Sequence, residues 1–292
     1  MRIIDVHSHW GTERGWKGNP AGSKKAFAAL QKYFNWKDGF VTEAHMTDYF
    51  RKSDARVILD LAFTHNLPMD EVREQHDYSF DTERAHQDVI LGHWIHLDPL
   101  NPDSLGELRR CIDKRIGFLG LHVNATPPAS DPAWTPLYEL CVEANVPVMI
   151  LVGMSAIGAG VRGGLGRILE DTHPRHLDRV AAKYPDMNII AARSGWPWQA
   201  ETNAVLLHKG NVWYEIHGWS PKYHPPELKH EIARRLQDKV MFAADYPMLS
   251  YERLERDWRA EGYTEEVLEK VFHRNAEAFM EMIGLDLPGL RG

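Results

Sequence analysis

Short apolar, β-branched runs recur along the chain at 2–6 (RIIDV), 56–63, 89–97, 117–123, 146–153, 187–192, 211–216 and 239–244. Most are apolar almost without alternation, the pattern of parallel strands covered on both faces. Between them, 41–51, 103–115, 135–145, 173–184, 198–208 and 226–237 have helical length and character. The last segment, 264–282, carries Val267, Leu268, Val271, Phe272, Ala276 and Phe279 as one helical stripe. Thr264 is placed to cap it, and Glu265 and Glu266 suit its first turn. Eight strand–helix alternations without a break in composition predict one α/β domain over 1–292. A closed eight-stranded barrel and an open doubly wound sheet both satisfy that pattern. Two connections, 11–40 and 64–82, read as long loops after strands 1 and 2, each a lid or an oligomer arm. The first mixes Lys24, Lys25 and Lys32 with Trp16, Phe27, Tyr33, Phe34 and Trp36.

Length and charge narrow the class. A chain of 292 residues is long for one ordinary domain but normal for an α/β barrel. The net charge of −7, with no basic block, argues against a nucleic-acid or anionic-membrane surface. The longest apolar stretch, 146–161, is broken by Pro147 and glycines and is too short to span a bilayer. The N-terminus lacks a signal-peptide pattern, so the expected location is cytoplasmic. Cys111 and Cys141 lie far apart without metal-type spacing and read as buried free thiols.

The chemistry concentrates at strand ends. His7 and His9, in IIDVHSHW, are two apart on the first strand and project together, a half-site for a divalent metal. Asp245, in AADYP, stands at the end of the eighth run. In a closed barrel the first and last strands are neighbours, and Asp245 then meets the two imidazoles on the face where barrel active sites form. In an open sheet they need not meet.

These motifs resemble those of the amidohydrolase superfamily, in particular the amidohydrolase-2 group that includes aminocarboxymuconate-semialdehyde decarboxylase. The resemblance runs through IIDVHSHW, GFLGLHVN, PLYELCVEANVPVMI, HGWSPKYHPPEL, KVMFAADYP and HRNAEAFM, nearly the whole chain. It implies a single (β/α)8 TIM barrel holding one or two divalent ions and gives His7, His9 and Asp245 the ligand roles; one ion is expected here, zinc first, then iron or manganese. It also implies imidazoles at the ends of strands five and six, where this chain has Leu151 and Arg193. Leucine binds no metal, and arginine stays cationic. Three readings of the site stay open: one ion on His7, His9 and Asp245; the same ion completed by His217, Glu215, His122 or Glu13; or a site without metal.

Arg193 at a strand end suits two-point binding of a substrate carboxylate, with a salt bridge to a neighbouring acid as the alternative. Trp10 and Trp196, with Trp198 and Trp219, follow strand ends and predict an apolar rim for an aromatic or acyl substrate. The loop 153–166 contains G-x-G-x-x-G from Gly158 to Gly163 but opens no helix after its strand. It therefore reads as a mobile loop over the mouth, carrying Arg162 toward an anionic ligand, and not as a dinucleotide site. The expected function is a metal-dependent hydrolase in which Asp245 moves the proton of an activated water. The alternatives are a non-oxidative decarboxylase or an iron or manganese oxygenase on the same barrel, and a silent subunit. The expected partners are a small-molecule substrate and a second copy in a homo-oligomer, or a homologous chain in a hetero-oligomer.

Overall fold

The computed structural model describes residues 1–18, 24–36, 39–124 and 126–285. Eight parallel strands follow one another in sequence order: β1 (Ile3–His9), β2 (Ala55–Asp60), β3 (Ile90–Ile95), β4 (Phe118–Val123), β5 (Val148–Leu151), β6 (Ile189–Ala192), β7 (Val212–Glu215) and β8 (Val240–Met241). The ring is completed between β1 and the chain leaving β8. Val6 N–H donates to Phe242 O at 3.0 Å, Asp245 N–H to His7 O at 3.1 Å and His9 N–H to Tyr246 O at 2.7 Å. Of the two architectures the alternation allows, the closed barrel is the one formed.

A buried side chain reinforces that seam. Asp5 Oδ1 accepts from His7 N–H at 3.1 Å and from Ala244 N–H at 3.2 Å. Its Oδ2 accepts from Ser8 Oγ at 2.5 Å and Tyr251 OH at 2.8 Å. Ser8 Oγ in turn accepts from Tyr246 N–H at 2.9 Å. Burial pushes the Asp5 carboxyl up to about 6, against the pull of its four donors.

The helices are α1 (Lys24–Phe34), α2 (Glu43–Lys52), α3 (Met69–Ala85), α4 (Ser104–Lys114), α5 (Thr135–Glu143), α6 (Pro174–Lys183), α7 (Gln199–His208), α8 (Pro226–Ile232), α9 (Tyr251–Ala260), α10 (Glu265–Glu269) and α11 (Asn275–Met282). A π-helical turn over Lys270–Arg274 joins the last two, and Thr264 caps the pair by accepting from Val267 N–H at 3.3 Å, as its sequence suggests. Two expected loops contain helices instead. The segment after β1 holds α1, and the segment after β2 is mostly α3, whose inward face buries Gln75, His76, Thr82 and Glu83 beside Val72 and Phe80. Those polar residues break up the apolar stripe by which a helix is recognised. The side chains of Lys24, Lys25 and Phe27 lie outside the described residues, as do residues 286–292 of the expected domain.

The core has two compartments. One lies between strands and helices. The other joins the barrel interior (Ile4, Val6, Trp94, Met149, Met241) to Phe279 and Met280 of α11. Trp94 spans the interior and donates from Nε1 to Val6 O at 2.7 Å. Gly120 makes room for it, since a Cβ there would sit 2.2 Å from the indole. Between α3 and α4 a buried polar staple replaces apolar packing. Glu107 Oε1 lies 2.6 Å from His76 Nδ1 and 2.7 Å from Arg110 Nη2, with the Cys111 thiol at 3.3 Å. Cys111 and Cys141 are free and buried. Among the described residues no helix is long and apolar enough to cross a membrane.

Asp5→Ala strands four donors at the closure and is expected to lower stability by about 3 kcal/mol or more in urea unfolding. His76 and Arg110 hold the Glu107 carboxyl down at about 2 although burial opposes them. A depressed carboxyl contributes in full above its ordinary value of 4.5 and loses that contribution as pH falls toward 2. Glu107→Gln is therefore expected to cost about 3 kcal/mol at pH 7, and its gap from the unsubstituted protein should close as unfolding is repeated toward pH 2.

Candidate active site at the barrel mouth

The C-terminal ends of the strands bring one polar group after another to the same mouth. β1 supplies His7 and His9, and β2 ends on Asp60. His96 follows β3, and β4 contains His122. Arg193 follows β6, β7 ends on Glu215 with His217 just beyond, and Asp245 lies past β8. All are buried except His9, whose side chain is 13% exposed.

Two carboxylates organise the imidazoles. Asp60 Oδ1 lies 2.7 Å from His96 Nε2, and Oδ2 lies 2.6 Å from His122 Nδ1. The same carboxylate is 3.3 Å from His7 Nε2 and 3.8 Å from His9 Nδ1. Across the mouth, Glu215 Oε1 is 2.6 Å from His217 Nδ1 and 3.2 Å from His7 Nδ1, while Oε2 accepts the His217 N–H at 2.7 Å. Where one ring nitrogen hydrogen-bonds an ionised carboxylate, as in His96 and His122 on Asp60, it carries the proton and the other nitrogen is left as a lone pair.

Burial dominates the protonation of this cluster. It lowers His7 and His122 to about 3, against the raising field of Asp60. It drives His217 well down, helped by Arg193, and Glu215 well up. Burial also opposes ionisation of Asp60, but His96 and His122 outweigh it and hold that carboxyl well below its usual range. His9 moves the other way: Asp245 raises it in spite of burial.

His9 Nε2 lies 3.1 Å from Asp245 Oδ1, off the direction of a hydrogen bond. Asp245 and Arg193 both adopt left-handed backbone, with φ of 61° and 77°. Such strain in non-glycine residues collects at functional sites. Gly218, itself at φ 74°, lets the two approach: a Cβ there would meet Arg193 Nη1 at 2.6 Å and Asp245 Oδ2 at 2.8 Å. Arg193 Nε is buried without a hydrogen-bond partner.

The mouth thus gathers His7, His9, His122, Arg193, Glu215, His217 and Asp245 from the sequence candidates. Ligand atoms of His7, His9 and Asp60 lie within 4.8 Å of one another, as do those of His7, Glu215 and His217, and those of Asp60, His96 and His122. Asp245 stands against His9 rather than within these groups. His7 Nε2, His9 Nδ1, His96 Nδ1, His122 Nε2 and Asp245 Oδ1 are buried without hydrogen-bond partners. That donor set, imidazole and carboxylate with vacant lone pairs, fits a divalent cation.

Several expectations move. Trp10 is a core residue, fully buried against Tyr78 at 4.8 Å between ring centres, because the chain turns it under the Gly15 backbone and away from the rim. Glu13 is exposed. Trp196 is at the rim, 46% exposed, with Trp219 at 6.5 Å. The glycine loop folds on itself, the Gly158 position touching the Gly164 backbone, and no helix opens directly after β5. Arg162 on it is exposed, whereas Arg167 reaches inward, donating to Asn124 Oδ1 at 3.0 Å. Asp60, His96 and Arg167 are not among the sequence candidates, although Asp60 and His96, like His122, are single polar residues in the second half of an apolar run.

Residues 4–281 match the amidohydrolase family model Amidohydro_2. A 2-keto-4-carboxy-3-hexenedioate hydratase from a Sphingobium species is 36% identical over 77 residues, a match spanning 24% of this chain and only 22% of that protein. Solved structures share the fold at low identity. An uncharacterized TIM-barrel protein from Bordetella bronchiseptica superposes with a TM-score of 0.75 at 18% identity, covering 97% of this chain and 100% of that one. A 5-carboxyvanillate decarboxylase from Novosphingobium aromaticivorans, complexed with manganese, gives 0.70 at 18% identity over 96% of each chain. A 4-oxalomesaconate hydratase from Rhodopseudomonas palustris gives 0.64 at 15%, over 97% and 96%.

The close approach at Gly218 can be measured. Gly218→Ala is expected to cost about 1–3 kcal/mol of stability, from its backbone and from the added methyl. In an Arg193→Ala background the methyl meets one neighbour fewer, so a double-mutant cycle should return a coupling of about 0.5 kcal/mol or more.

Proposed function

The chain belongs to the amidohydrolase family, and from that membership we propose a single-domain, metal-dependent hydrolase acting through an activated water on a small carboxylated or aromatic substrate. The observation that carries this reading is the set of buried, unpartnered ligand atoms at the mouth, His7 Nε2, His9 Nδ1 and Asp245 Oδ1. His7 and His9 would hold the ion, with Asp245 beside them and His122, Glu215 and His217 as supporting groups. A divalent cation bound there supplies Lewis acidity and a water acidic enough to ionise near neutral pH.

The remaining steps belong to the chain's own residues. Asp245 Oδ1 takes the proton of the attacking water and returns it to the leaving atom. His9 Nε2, 3.1 Å from Asp245 Oδ1, keeps that carboxylate in position beside the imidazoles. Arg193 pairs with a substrate carboxylate, or with negative charge developing on the reacting group. A cleft of about 310 Å³ lined by Tyr33, Phe34, Gly218, Trp219, Tyr223 and Leu249 adjoins Arg193 and Asp245 through Gly218. Its rings suit an aromatic or acyl body, with Trp196 near Trp219. In this reading zinc is the ion, with iron and manganese as competitors, and the enzyme is a cytoplasmic homo-oligomer.

Hydration is the second reading, favoured by the local match to the Sphingobium hydratase. Hydration and hydrolysis use the same activated water and differ in whether a bond of the substrate breaks. Decarboxylation, named for the structural neighbour from Novosphingobium, is told apart by release of carbon dioxide.

The test is a panel of lactones, amides and unsaturated carboxylates assayed with metal-loaded enzyme and product analysis. Asp245→Asn should lower kcat by about 10²–10⁴. Arg193→Lys should raise KM for carboxylated substrates with a smaller change in kcat. Stoichiometric metal in the native protein, lost in His9→Ala, supports the ion; turnover unchanged by chelation refutes it.

A further inference from the structure

We propose that the divalent ion of this chain is anchored on the β2–β4 side of the mouth, by Asp60 with His96 and His122, alongside His7 and His9. This rests on the metal-dependent reading above and specifies which residues make the ion bind.

The argument starts from what each side of the mouth can offer. At the ends of β5 and β6 stand Leu151 and Arg193. A hydrocarbon donates no lone pair, and a guanidinium has five N–H groups and none to give. A cation that needs more than the first strand has Glu215 and His217 on the β7 side, and, the other way round the barrel, the ends of β2 to β4. There Asp60 is wholly buried, with four imidazoles directed at one carboxylate: His96 at 2.7 Å, His122 at 2.6 Å, His7 at 3.3 Å and His9 at 3.8 Å. The His96 and His122 rings stand 4.5 Å apart, and the His7 ring is 5.3 Å from His122.

A carboxylate serving only to pin side chains needs two donors, and His96 and His122 already fill that need. The other two imidazoles face it without making a hydrogen bond, and one nitrogen of each of the four is buried and unpartnered. A buried nitrogen left so has lost its water without gaining a partner. Ligand atoms of His7, His9 and Asp60 lie within 4.8 Å of one another, as do those of Asp60, His96 and His122, so a cation seated against Asp60 is within reach of both groups. Asp60 is the residue common to two of the ligand groups, the one with His7 and His9 and the one with His96 and His122. Removing it should therefore affect the ion more than removing Asp245, which lies in neither group.

Full-length protein, stripped with chelator, is titrated with Co²⁺ and followed by the visible absorption of the bound ion, with metal content counted separately. The unsubstituted chain should bind one Co²⁺. Asp60→Asn, His96→Gln and His122→Gln should each weaken binding by about 10–100-fold or more, while Asp245→Asn binds more nearly as the unsubstituted chain does. Metal-free melting curves identify any variant that has not folded, and His96→Gln carries the test if Asp60→Asn fails to fold. If His9→Ala loses the ion while all three β2–β4 variants keep the affinity of the unsubstituted chain, this assignment is overturned and the metal-dependent reading stands. If the unsubstituted chain takes up no Co²⁺, Zn²⁺ or Mn²⁺, both fall.

Discussion

Closure of the ring between the first and last strands is the constraint on which everything at the mouth depends. Without it, His9 and Asp245 belong to opposite ends of a chain and have no reason to meet. β8 itself is only two residues long, Val240–Met241, so strand pairing alone is a weak fastening. The seam is carried past the strand by backbone bonds from residues 242–246 to β1 and by the buried carboxylate of Asp5, which gathers Ala244, Ser8, Tyr251 and His7. Burying that carboxylate raises it to about 6, a cost that its donors partly offset. The position matters as much as the bonds. Asp5 points away from the mouth, two residues before His7, so the clamp that closes the barrel also sets the height and direction of the imidazoles.

Above the seam the same device appears again with a different consequence. Asp60 and Glu215 each grip two imidazoles, and the ionised Asp60 fixes which nitrogen of His96 and His122 is protonated. A histidine left to itself exchanges tautomers, whereas one held by a buried carboxylate presents a fixed lone pair. The His7 ring sits between the two systems, 3.8 Å from His217 and 5.3 Å from His122. Burial keeps His7, His122 and His217 neutral, which is the form that can ligate. Asp60 stays ionised while Glu215 is pushed toward its neutral form, so the negative charge of this cluster gathers on the β2 side.

How much of this could be read in the sequence depends on the range of the signal. The eight apolar runs are local, and each became a strand. The His7-x-His9 pair is local as well, and Asp245 could be joined to it once a closed barrel was assumed. Asp60 is hidden because it is a single acid inside the apolar run 56–63, where Leu61, Ala62 and Phe63 carry the pattern on past it. His96 was hidden in VILGHWIHL, where its neighbour His93 is a buried partner of Glu83 at 2.9 Å behind the strand. Adjacent strand positions alternate in direction and one pattern cannot separate the two roles. Trp10 failed for the opposite reason. It follows a strand end as a rim residue would, but the fold of 11–18 covers it, and nothing local to Trp10 announces that cover. The helix α3 is not legible because tertiary contacts bury His76 and Glu83 where a stripe of leucines would announce it.

The two sides of the mouth differ in kind, and that difference constrains how a substrate can lie. From β1 to β4 the lining is imidazole and carboxylate. From β5 to β6 it is Leu151 and Arg193, with Arg167 reaching in from the loop after β5 to Asn124 at the end of β4. On the proposed chemistry an anionic substrate is drawn by its carboxylate toward the guanidinium of Arg193, and its reacting bond must then face the imidazoles. The aromatic cleft beside Gly218 opens between these two regions, next to both Arg193 and Asp245. Orientation thus follows from the same substitution that removes ligands from the β6 side: the arginine that cannot hold a metal is the group that can tell one end of the substrate from the other.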